Sequence, residues 1–231
     1  ALPRIANTTD IAAIEQIPLK ERLKHDNCFA AISAGLAIRP DHAALHFLSA
    51  GDPAETPLTI SHGELAKCGC RIANLLHALG VNKGDSITVL MPNLPQKFMF
   101  LIGCLPAAVF FPVNWMLEPQ FLAEIIRAAG SKMLITLGPV PGYEIWGKVE
   151  TILPDLPELE HVLYVMPPGQ EITPPTSTDR RIQSFDQLLA SIENDVLEFE
   201  PTVGWDDIAA YIHTGGTTGN PKLAKITHLG L

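Results

Sequence analysis

Positive charge is scarce in this sequence: 16 Lys and Arg stand against 25 Asp and Glu, a formal net charge of −9. That balance lacks the basic field which nucleic acid or an anionic membrane demands of a general binder, so neither is an expected partner. Any phosphate must be held by a local cradle. Charge of either sign is sparse at 18%, while 47% of the residues are hydrophobic and mean hydropathy is +0.19. That much apolar material excludes wholesale disorder and supplies a sizeable core. Cysteine is limited to Cys28, Cys68, Cys70 and Cys104. Only Gly69 separates Cys68 from Cys70, and no second pair stands at zinc-finger distance, so no metal site is expected. Free thiols suit a reducing cytosol, and the expected location is cytoplasmic. The chain opens without the basic and apolar segments of a signal peptide. Its most apolar stretch, Phe98 to Val113, is shorter than the roughly 20 residues a spanning helix needs, and Pro106 and Pro112 interrupt it. It reads as a buried helix followed by a buried strand, not as a transmembrane segment.

A chain of 231 residues fits one large α/β domain, or one and a fraction. Residues 1–56 offer one possible strand, Ala43 to Leu48, before a turn cluster from Ser49 to Pro57. From Ser61 the signals sharpen. Ser61 and Glu64 form a capping box, Leu65, Ile72, Leu75, Leu76 and Leu79 recur at helical spacing, and Gly80 stands where a C-terminal cap belongs. Strands are expected at Ile87 to Met91, Val109 to Val113, Lys132 to Leu137, His161 to Met166 and Ile208 to Ile212. Helices are expected from Asn93, as cap, to Leu105, then over Glu118 to Ala129, Tyr143 to Leu153, and from a second capping box at Ser184 and Gln187 to Ile192. Each interval between the first four of these strands leaves room for a helical crossover, so their pairs should be parallel. The fold class is α/β, a mostly parallel sheet flanked by helices. The proline-rich segment Pro167 to Thr178 reads as a loop or linker. Residues 57–200 are expected to form the parallel subdomain and residues 201–231 the start of a second one. His228 to Leu231 read as the opening of an element, which suggests a fragment.

The strongest chemical signal is Tyr211 to Lys222, YIHTGGTTGNPK, directly after an apolar strand. Glycine lets backbone N–H groups turn toward a ligand and lets phosphate oxygens approach where a Cβ would stand, threonine adds hydroxyl donors, and lysine adds a mobile positive charge. This is the composition of a polyphosphate cradle. A hairpin turn is compatible with it, because KLAKIT, Lys222 to Thr227, alternates like a strand. It is not a Walker A loop: Asn220 and Pro221 separate Gly219 from Lys222, and no Ser or Thr follows the lysine. Nor is it a dinucleotide fingerprint, since Gly215 and Gly216 are adjacent.

At these residues the sequence resembles the adenylate-forming superfamily of acyl-CoA synthetases, peptide-synthetase adenylation domains and beetle luciferases. Tyr211, Thr214, Gly215, Gly216, Thr217, Thr218, Gly219, Pro221 and Lys222 satisfy its signature loop. Gly215 stands where serine is frequent, and Leu223 with Ala224 replaces the commoner Gly-Val. TISHGELAK (Thr59 to Lys67), GVNKGDSITVLMPN (Gly80 to Asn93) and VFFPVN (Val109 to Asn114) extend the resemblance over roughly Leu58 to Leu231. The resemblance implies an enzyme that joins a small-molecule carboxylic acid to the α-phosphorus of ATP, releasing pyrophosphate, and then passes the acyl group to a thiol. Coenzyme A is the commonest acceptor, and Mg²⁺ and donors must spread the charge where two anions meet. Thr214, Gly215, Gly216, Thr217, Thr218, Gly219 and Lys222 would bind the β- and γ-phosphates, with Thr214, Thr217 and Lys222 as the catalytic set. The acid pocket, the ribose-binding acid and the catalytic lysine are expected after Leu231, so these residues alone should bind ATP weakly and turn over nothing. An adenylation domain that loads a carrier-protein thiol, and a catalytically incompetent binding module, remain alternatives.

Lesser candidates surround that loop. His42 and His46 imitate a metalloprotease spacing, but no Glu follows the first, and on a strand the rings would stand too far apart to share a metal. His213 adjoins the cradle and is either a nucleotide or acyl contact or a half-buried strand-end histidine. His228 precedes the next element, where Thr227 is a fitting N-cap. Phe110, Phe111, Trp115 and Phe121 read as core and sheet packing.

Overall fold

A computed structural model describes residues 5–49, 52, 54–169, 173–214 and 222–231. The segment before the sheet holds helices α1 (Thr8–Glu15), α2 (Leu19–Arg22) and α3 (Cys28–Ile38), then strands β1 (Ala43–Phe47) and β2 (Leu58–Ser61), paired antiparallel. The sequence pattern offers only the strand. α1 buries none of its residues and α3 only Cys28 and Phe29, so neither carries an amphipathic stripe; what starts them is Asn7, capped reciprocally by Asp10, and Asn27, which accepts the Ala30 N–H.

The main body runs α4 (His62–Ala78), β3 (Ser86–Leu90), α5 (Pro95–Cys104), β4 (Val109–Pro112), α6 (Pro119–Ala128), β5 (Ser131–Leu137), α7 (Ile145–Ile152), β6 (His161–Val165), β7 (Ile182–Ser184), α8 (Phe185–Ala190), β8 (Ile208–Thr214) and β9 (Lys222–Thr227). Among the described residues the strands from β3 onward form one seven-stranded sheet, ordered β7-β6-β5-β3-β4-β8-β9. Every pair is parallel except β8 with β9. All five residues of β3 are buried, as a strand covered on both faces requires. α4 packs with α5 and α8, α6 packs with α7, and the two groups flank the sheet. Two hydroxyl residues inside are satisfied by one another, Thr88 Oγ1 lying 2.6 Å from Ser131 Oγ.

Ser61 and Glu64 close the capping box of α4, and Gly80 takes φ 76°, the left-handed cap conformation that glycine adopts without strain. The expected cap at Asn93 is corrected. Leu94 is the N-cap of α5 because Pro95 occupies the first helical turn, and Asn93 instead accepts from Lys97 Nζ at 3.2 Å. Ser184 accepts from the Gln187 N–H, one half of the expected capping box, and α8 stops at Ala190. Strand β7 was not expected; its three residues are too short for a period to show.

Between α8 and β8 the chain follows no strand or helix, and α4 holds it in place. Arg71 donates to the carbonyls of Leu189 (2.7 Å) and Ile192 (2.8 Å). Buried Asn74 donates to the Val196 carbonyl at 2.8 Å and accepts the Glu198 N–H at 3.0 Å. β8 then joins the sheet beside β4.

Candidate active site

Parallel strands bring their carboxyl ends to one edge of the sheet, and there the functional candidates gather. β3 leads through α5 to β4 on one side, and β5 leads through α7 to β6 on the other. The chain therefore diverges between β3 and β5, and a crevice outside that point is where open α/β sheets receive ligands. A pocket of about 200 Å³ lies there, lined by Pro92, Asn93, Leu137, Tyr143 and Pro167 among others. A second, of about 310 Å³, opens between the carboxyl ends of β3 and β4, with Asn93, Lys97, Asn114 and Trp115 on its wall.

Next along this edge, beyond β4, β8 ends at Thr214 and β9 starts at Lys222, and the two residues are direct partners in the antiparallel ladder. Thr214 Oγ1 donates to the Lys222 carbonyl at 3.5 Å, and both residues are exposed. Of the expected site residues, these two are thus side by side. Gly215, Gly216, Thr217, Thr218 and Gly219 lie outside the described residues.

His213 stands one residue before Thr214, and its Nε2 accepts the backbone N–H of Asn114 at 3.2 Å. An acceptor at Nε2 requires the neutral ring with its proton on Nδ1. Burial holds the imidazole below its ordinary pKa, which favours that form. Asn114 begins a tight turn in which its Oδ1 accepts the Met116 N–H at 3.0 Å. From the other side Lys148 of α7 donates to the carbonyls of Trp115 (3.3 Å) and Leu117 (3.0 Å). The β4–α6 loop is therefore fixed at both flanks. Lys97, half-buried on the first turn of α5, has its pKa lowered by burial, and among the described residues no carboxylate pairs with it.

Sequence reasoning did not single out Asn114, Lys97 or Lys148. Asn114 and His213 are far apart in the chain, and only the β4–β8 pairing joins them; the visible trace was the VFFPVN segment itself.

His46 Nδ1 lies 2.9 Å from Thr59 Oγ1, and the described residues contain no group of His, Cys, Asp or Glu arranged to hold a metal. His228 is buried with neither ring nitrogen partnered. Thr227 caps the turn after β9, its Oγ1 accepting the Gly230 N–H at 3.3 Å. Phe110 and Phe111 are core, and Trp115 meets Tyr143 edge-on at 5.7 Å. Phe121 is the exception: it is 48% exposed, because α6 buries Leu122, Ala123, Ile125 and Ile126 and turns Phe121 to solvent. The four cysteines are free, and burial raises the thiol pKa of each, to about 11 at Cys68. No helix of the described residues is long and apolar enough to cross a membrane.

Comparison with known proteins bears on the fold and the family. Over 227 residues the chain is 26% identical to a marinolic acid–CoA ligase of a Pseudoalteromonas species, covering 98% of this chain and 33% of that protein. It is 30% identical over 179 residues to an acetyl-coenzyme A synthetase of Shewanella sediminis, covering 74% of this chain and 27% of that one. The fold matches an anthranilate CoA ligase solved in complex with anthranoyl-AMP, with TM-score 0.73 and 22% identity over 90% of this chain and 36% of that structure. The chain thus spans about a third of the length of the curated relatives it matches. The sequence profile of the AMP-binding enzymes matches residues 33–231, six-sevenths of the chain, and on that extent the chain belongs to the AMP-binding enzyme family.

Proposed function

We propose that this chain is the N-terminal part of an ATP-dependent carboxylic acid:CoA ligase, with residues 57–200 as most of the parallel sheet and its helices and 201–231 adding β8 and β9 to that sheet and supplying the phosphate loop. The observation that carries the reading is the pairing of Thr214 with Lys222 at the carboxyl edge of the sheet, on either side of a glycine- and threonine-rich segment. The named relatives are CoA ligases and synthetases, which supports the same class. The donor set fits a polyphosphate: an exposed hydroxyl, an exposed ammonium, and backbone N–H groups of glycines in a chain whose overall charge repels anions. Mg²⁺ would arrive on the polyphosphate, where it supplies charge neutralisation, since the described residues offer no ligand cluster of their own.

In this reading Lys222, Thr214 and Thr217 hold the β- and γ-phosphates, with Gly215, Gly216, Thr218 and Gly219 as the cradle. A carboxylate oxygen of the acid attacks the α-phosphorus and the bond to pyrophosphate breaks. Donors fixed on the departing pyrophosphate lower the barrier because the negative charge grows there. A thiol, that of coenzyme A, then takes the acyl group and releases AMP.

The test is exchange of radiolabelled pyrophosphate into ATP by the enzyme that carries this chain, across a broad panel of carboxylic acids. Exchange should appear only with an acid present, and Lys222→Ala should lower it by about 10²-fold, the usual loss of one transition-state charge contact. No exchange with any acid would overturn the reading.

A further inference from the structure

We propose that His213 is a positioning residue, a latch by which the β4–α6 loop fixes the end of β8 and with it the alignment of Thr214; the proposal rests on the function given above. The imidazole lies between two things that must agree in position. On the chain it is joined to Thr214, the first residue of the candidate cradle, and through Nε2 it holds the N–H of Asn114, on the wall of the 310 Å³ pocket. Lys148 anchors the same loop from α7 through the carbonyls of Trp115 and Leu117. The loop is therefore the fixed partner, and the bond constrains the end of β8.

β8 contributes a single paired register to β4, Phe110 with Ala210, and past it the two strands run on toward Pro112 and Thr214. The His213–Asn114 bond is the described hydrogen bond that ties these carboxyl ends together again. A group bound in the pocket against Asn114 and Trp115 would thereby be felt at Thr214, and displacements of about 1 Å at a reacting group cost up to about 10²-fold in rate. His213 itself need touch no substrate.

The chemistry selects the replacements. The amide oxygen of Gln reaches the place of Nε2 and accepts; that of Asn falls short, near the place of Nδ1; Ala offers nothing. The first measurement needs no activity: amide hydrogen exchange of Asn114, followed by NMR in the 231-residue chain. His213→Ala and His213→Asn should speed exchange at Asn114 about tenfold, while His213→Gln stays within about threefold of wild type, as loss and recovery of one hydrogen bond worth about 1.4 kcal/mol dictates. An Asn114 amide that exchanges at the wild-type rate in His213→Ala overturns the latch.

The second measurement is acid-dependent pyrophosphate exchange in the enzyme that carries the chain. His213→Ala and His213→Asn should lower kcat about tenfold with KM for ATP changed less than about threefold, and His213→Gln should recover most of kcat, because alignment rather than ground-state binding is lost. Equal damage from Gln and Ala overturns the proposal. A wild-type enzyme with no exchange sinks the ligase reading instead, and the amide measurement still decides whether the latch exists.

Discussion

Gly103 of α5 crosses Gly69 of α4 so closely that a Cβ on Gly103 would stand 3.1 Å from the Gly69 carbonyl oxygen and 2.4 Å from Ile72 Cγ2. A Cβ on Gly69 would in turn meet Ile102 Cγ2 at 2.5 Å. These glycines set the spacing of the two helices, and α5 carries Lys97 and Gln96 at its start.

Gly103→Ala and Gly69→Ala should each destabilise the chain by about 1–3 kcal/mol through overpacking, lowering Tm by several degrees. Gly147→Ala in α7, where a Cβ meets nothing within 4 Å, should be neutral or gain up to about 1 kcal/mol. Thermal melts of the three variants decide it, and a Gly103→Ala protein as stable as wild type would refute the crossing.

Lys148→Met keeps the aliphatic stem and removes both carbonyl contacts to the β4–α6 loop. Urea denaturation should show a loss of about 1–2 kcal/mol, the scale of charge-assisted hydrogen bonds that are not replaced. Amides of residues 115–117 should exchange faster than in wild type, and unchanged protection would contradict the two-sided anchoring.

How much of this the residues disclosed depended on the kind of signal. Where a cap and a stripe coincide, as at Ser61, Glu64 and Leu65 to Leu79, the element was legible almost to its ends. α1 and α3 were not, because they bury too little for a period to develop; their Asn7 and Asn27 caps were the available clue. Asn93 misled for a local reason, Pro95 displacing the cap by one residue. The strand order could not be read, since an interval long enough for a crossover says nothing of the side on which that crossover lands. In the site, a contiguous motif such as Thr214 to Lys222 is visible in one dimension, while Asn114, Lys97 and Lys148 acquire meaning only when the sheet brings their loops together.

Arg71→Leu should expose the segment after α8. With the Leu189 and Ile192 carbonyls released, limited proteolysis should cut faster between residues 190 and 200 while the rest of the chain stays resistant. Cleavage at the wild-type rate would show that the Asn74 contacts and the Lys67–Asp195 pair suffice as the clamp.

His228 sets a pH dependence. Burial pushes its pKa down; Asp207 beside it pulls the pKa back up and Lys83 pushes it down again. The unfolded ring, near pH 6.5, then binds a proton before the folded one does, so stability is full above about pH 6.5 and falls with acidification until the depressed native value is passed. His213, also lowered by burial, adds in the same direction. Denaturation midpoints between pH 7.5 and 5 should fall, and His228→Gln, which does not titrate, should flatten the slope; a midpoint that rises on acidification would contradict the assignment.

Attack of a carboxylate on the α-phosphorus of ATP leaves an isotopic trace in the products. The enzyme that carries this chain is given ATP, an acceptor thiol and an acid whose carboxylate oxygens are ¹⁸O. Because the thiol breaks the acyl carbon–oxygen bond of the adenylate, AMP should keep one carboxylate oxygen and mass spectrometry should find a single ¹⁸O in AMP and none in pyrophosphate. Label in inorganic phosphate, with ADP as the nucleotide product, would contradict the account.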